Sequence, residues 1–87
     1  MPDQAWNVSI EFSEAGDRTR ADAVLEVADQ HFHGFGQAKR APEDPEVPLI
    51  GQDLAAARAL SELSHQLLHA AADRIEAFEG HPVKLRG

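Results

Sequence analysis

The residues richest in chemistry lie in "HFHGFGQAKR", residues 31–40, and "HQLLH", residues 65–69. On a strand, His31 and His33 would share one face; on a helix, His65 and His69 would share another. Both are spacings that metal ligands use. The helical pair has the spacing of a zinc-hydrolase motif, yet the position of the glutamate general base holds Gln66. With no cysteine in the chain, thiolate zinc sites, disulfides and thiol nucleophiles are excluded. Ser9, Ser13, Ser61 and Ser64 lack a glycine-rich elbow, and no Ser, His and Asp set is suggested by spacing. The expectation is a chain with no catalytic residues, no cofactor and no metal site, in which the histidines are solvated side chains.

What positions these residues follows from hydrophobic period. Trp6, Val8, Ile10 and Phe12 alternate with polar residues, which predicts a half-buried strand over about residues 5–13. Gly16 and Asp17 supply a tight reversal. Ala21, Ala23, Leu25 and Val27 then alternate in a second strand, about 18–28, and after "ADQ" a third strand covers about 31–40. Pro42, Pro45 and Pro48 forbid a regular ladder over 41–49, giving a stiff crossing loop. A proline-free, Ala- and Leu-rich run closed by Gly80 predicts one long helix over about 51–79, with Asp53 in its first turn. Its predicted apolar face gathers Ile50, Leu54, Ala57, Leu60, Leu67, Leu68, Ala71, Ile75 and Phe78, with small residues Ala57, Ser64 and Ala71 along the middle. Arg58, Glu62, Asp73 and Glu76 fall on the opposite, solvent side. Residues 80–87 form a tail in which Val83 and Leu85 could add a short extended segment. The predicted fold is α+β: a two-layer β-β-β-α domain spanning 1–87, an antiparallel meander covered on one face by the helix.

The third strand has two faces, Phe32, Gly34, Gly36 and Ala38 on one and His31, His33, Phe35, Gln37 and Lys39 on the other. Placing the first set inward gives the helix the small surface that its own small stripe needs, and avoids burying His31 and Lys39 without partners. The two histidine pairs then lie on opposite sides of the sheet. Val24, His33 and Phe35 fall on the uncovered face. Both sheet edges are expected to be open as well, so self-association is one reading of this surface and a lone solvated Phe and Val is the other.

The chain carries 15 acidic and 8 basic residues, net −7 with histidines neutral. That field repels nucleic acid and anionic membranes, whose binding releases counterions to Lys and Arg. The basic groups that could oppose it are Arg18 with Arg20 and Lys39 with Arg40. "GFG" overlaps an RNA-recognition signature, but four strands, two helices and further sheet aromatics would be needed. The start of the chain has no basic stretch followed by an apolar run, and no 18 apolar residues are consecutive, so a cytoplasmic protein is expected.

Gly34, Gly36, Ala38, Arg40 and Pro42, then Val47, Pro48, Ile50 and Gly51, then Leu54, Ala55, Ala57, Arg58, Ala59 and Leu60 form a pattern along nearly the whole chain. It resembles a family of small actinobacterial proteins of unknown function, with a fold similar to the double-stranded-RNA-binding domain. That resemblance implies the dsRBD-like fold and carries no functional residue with it. An RNA-binding member of the larger group would have a Lys-rich start to the last helix, a Gly-Pro-x-His loop and an added N-terminal helix. Here the corresponding stretches read "GQDLAAAR" and "SEAGDR", with four residues before Ala5. The function expected is a non-enzymatic cytosolic interaction or accessory protein that self-associates, a dimer before larger assemblies. Weak nucleic-acid binding through Arg18, Arg20, Lys39 and Arg40 is the alternative.

Overall fold

The computed structural model describes residues 4–80, and the expected tail segment at Val83 and Leu85 lies outside them. Three strands, β1 (Val8–Ala15), β2 (Arg18–Val27) and β3 (Gln30–Lys39), form an antiparallel sheet in the order β1-β2-β3. One helix, α1 (Pro48–Glu79), follows and packs on β3 and β2. Among the described residues no helix is long and apolar enough to cross a membrane.

Both reversals contain two residues. Gly16 takes φ 63° in the first. In the second, Ala28 and Asp29 take φ 51° and 63°, the double positive φ of a type I′ hairpin. Pro48 is the first helical residue and not part of the loop as expected: its φ is already helical and its missing N–H would have had no partner there. Asp53 therefore falls beyond the first turn, which holds no acidic residue. The helix ends as expected, with Gly80 at φ 77° donating its N–H to Glu76 O at 2.6 Å.

The inward face of β3 is the expected one: Phe32, Gly34, Gly36 and Ala38 lie under the helix with Ala21, Ala23 and Leu25 of β2. The helix face is different from the one expected. Ala55, Ala59 and Leu63 are buried, with Leu67 and Ala70 packed beside them, whereas Leu54, Ala57, Leu60, Ser64 and Phe78 are exposed. The reason is the closeness of approach. A Cβ at Gly34 would stand 2.5 Å from Ala59 O, and one at Gly36 would stand 2.4 Å from Ala55 O. Backbone meets backbone where the carbonyls of Ala55 and Ala59 face the glycines, so these positions of the row are alanines, and Leu63 continues it with its side chain in the core.

Arg58 and Glu62, expected to face solvent, instead reach the outer edge of β3. Arg58 Nη1 donates to Gln37 O at 2.6 Å and Phe35 N donates to Glu62 Oε2 at 3.1 Å. The Gln66 amide both accepts from His33 N and donates to His33 O, as a neighbouring strand would. Arg74 reaches the Gln30 side chain at the far end. The β3 edge expected to be open is thus sealed by one helix row, while β1 is left at the opposite margin.

Candidate functional site

Two surfaces carry the candidate residues. On the open face of the sheet, the register sets Asp22 opposite Phe35, Val24 opposite His33 and Arg18 opposite Lys39. Arg20 grips Asp22 through two nitrogens, Nε to Oδ2 at 3.1 Å and Nη2 to Oδ1 at 2.9 Å. His33 Nε2 lies 2.8 Å from Asp22 Oδ1, and since an ionised carboxylate only accepts, that nitrogen carries the proton. The hydrogen bonds from Arg20 and then from His33 hold the Asp22 carboxyl down at about 2. The Arg20 guanidinium also sits 4.6 Å from the centre of the Phe35 ring, a cation–π contact. Val24, His33 and Phe35 are therefore brought together, but two of the three are already engaged with charged neighbours.

The four basic candidates gather toward one end of the sheet. Arg20 is spent on Asp22, while Arg40 donates to Asp44 O at 3.4 Å and lies 3.8 Å from Glu46. Lys39 and Arg40 border a cleft of about 420 Å³ between the proline loop and the start of α1, whose rim also holds Glu14, Asp17, Asp44 and Glu46. Mixed signs on that rim select no ligand charge. Among the described residues the histidines do not converge: His31 meets Glu26 at 3.3 Å, His33 meets Asp22, and His65 and His69 lie exposed on the helix. Among the described residues no three His, Cys, Asp or Glu side chains are grouped to hold a metal ion.

The second surface was not singled out by sequence reasoning as a candidate. Val8, Ile10 and Phe12 stand beside Leu25, Ala23 and Ala21 on the helix-bearing face. The helix covers their β2 neighbours but not them, so only Ile10 is half-buried. Trp6 is 57% exposed, Val8 41%, Phe12 42% and, on the helix, Leu60 41%. This is an apolar flank beside a core, left outside because α1 is displaced toward the other edge. The signal for it was present in the alternation of "AWNVSIEF"; what the sequence withheld was the sideways position of the helix.

A model of the Rv2632c-like family matches residues 4–84. The chain belongs to the Rv2632c-like family. An uncharacterised Mycobacterium tuberculosis protein, MT1780, is 39% identical over 82 residues, 94% of this chain and 87% of its own length. Rv2632c of the same species is 41% identical over 76 residues, covering 87% and 82% respectively. The crystal structure of Rv2632c superposes with a TM-score of 0.85 at 36% identity, over 94% of this chain and 98% of that one. The membership in a small actinobacterial family of unknown function, read from the glycines, the proline loop and the helix, is therefore correct, and the three-stranded sheet with its long helix is the architecture this member shares with Rv2632c. These relatives are uncharacterised, so membership adds no function.

Proposed function

We propose that this member of the family is a small non-enzymatic interaction protein of the cytoplasm that acts as a homodimer, self-associating through the apolar flank of β1. The observation that carries the reading is the position of Val8 and Phe12, large apolar side chains more than 40% exposed beside the core residues Leu25 and Ala21, with Trp6 exposed two residues before Val8. A second copy is the partner that a self-complementary strip meets most simply, since a two-fold axis applies every contact twice. The non-enzymatic part is supported by the way the converging polar groups are used. Asp22, Arg20 and His33 satisfy one another on the open sheet face, and none of the three lines the cleft. A cysteine-free chain suits a reducing compartment.

Native mass spectrometry tests the reading directly. The expected mass is about twice the 9.5 kDa of the chain, falling to the single-chain value in Phe12→Lys with the helical circular dichroism unchanged. A single-chain mass for the unaltered protein at every concentration sampled would overturn it.

A further inference from the structure

Resting on the self-association proposed above, we infer that the second copy pairs with β1 edge to edge, antiparallel, in a register centred on Ile10, giving a continuous six-stranded sheet with both helices on one face. The first support is the difference between the two edges. On β3 the outward groups of His33, Phe35 and Gln37 are taken by helix side chains. On β1, among the described residues, no hydrogen bond from a side chain or from another backbone segment reaches the outward edge. Nor does Val8–Ala15 contain the proline, lysine or bulge with which edge strands are protected.

The outward groups of β1 can be counted off the register. Odd residues of β3 point away from the sheet, so even ones bond to β2. Through the pairs Thr19 with Ala38 and Ala15 with Arg18, odd residues of β1 then bond to β2. Val8, Ile10, Phe12 and Glu14 are left with N–H and C=O directed outward, and three of these four carry the apolar side chains of the flank. Pairing them across a two-fold axis therefore joins the backbone and the apolar strip in one step.

Charge and apolar overlap select against two neighbouring registers. Centring on Glu11 would set two Glu11 carboxylates directly opposite each other, and like charges opposed across strands are unfavourable; centring on Phe12 would set Val8 against the turn residue Gly16, outside the strand, and lose its apolar partner. Centring on Ile10 sets Glu11 against Ser9 and Phe12 against Val8, apolar to apolar and charge to hydroxyl. A stable interface at the small end takes roughly 600 Å² from each copy, under a tenth of the 6785 Å² surface.

Because the chain has no cysteine, single substitutions report the register without background. Ile10→Cys, Glu11→Cys and Phe12→Cys are treated separately with a short bifunctional maleimide. In the proposed register the two Ile10 positions lie about 5.5 Å apart at the axis, whereas the two Phe12 positions lie over ~13 Å apart, four residues along the strand. Ile10→Cys should give the cross-linked band fastest. Faster cross-linking at Glu11→Cys or Phe12→Cys would overturn the register. A dimeric mass with no cross-link at any of the three would overturn edge pairing while leaving self-association standing, and a single-chain mass would overturn both. Val8→Pro removes one outward N–H without touching the β1–β2 ladder, so loss of the dimeric mass with unchanged helical signal is the expected result; a dimer that survives it intact would also overturn the pairing.

Discussion

At Asp22 a single carboxylate accepts from Arg20 and His33, and the consequence is a stability that depends on acid. The folded chain holds this proton less tightly than the unfolded chain, whose Asp titrates near 3.9. The contribution is therefore fully present above about pH 4 and is lost as pH falls toward the folded value of about 2. Asp22→Asn should flatten the fall in the urea midpoint over that window; an unchanged slope would show that other carboxylates set the acid limit. Ala28 is a second residue with a measurable cost, since at φ 51° its Cβ crowds the following carbonyl. Ala28→Gly should raise stability by about 0.5–1 kcal/mol, read from the same urea curves.

Between helix and sheet the decisive distances are those across Gly34 and Gly36. An alanine at either position drives a methyl into helix backbone, which cannot rotate away as a side chain could. Gly36→Ala should cost roughly 3 kcal/mol or more and lower the thermal midpoint accordingly. The same packing explains what the sequence made legible. Strand alternation marked the inward glycines correctly, because a strand has only two faces and the wrong choice would have buried His31 and Lys39. The helix face was misread because the backbone contact is made at Ala55 and Ala59, which carry little hydropathy, while Leu54, Leu60 and Phe78 drew the apparent face away from them and from Leu63. Arg58 and Glu62 were misread for a related reason: a charged side chain beside a sheet edge looks the same in sequence as one in water. Gln66→Ala should test the edge seal, with faster hydrogen exchange expected at the His33 amide, where the only bond from the helix is lost.

For the molecule as a whole, the acidic balance and the engagement of Arg20 and Arg40 argue against a nucleic-acid role at the basic end of the sheet. A low-salt gel-retardation titration with duplex RNA should show no shift; a shift that weakens steeply with salt would reverse that conclusion. The apolar candidate surface was only half legible: its residues could be read from "AWNVSIEF", but their exposure depends on a helix displaced across the sheet, which no local pattern records.

The row Arg58, Glu62 and Gln66 has one more consequence. A sheet with two free margins has a valence of two, and every pairing leaves a new end that can react again, as in a growing polymer. Sealing β3 reduces the valence to one. The association proposed through β1 would then consume the last reactive margin of each molecule and stop at a closed pair, with the helix row acting as a chain terminator written into the monomer.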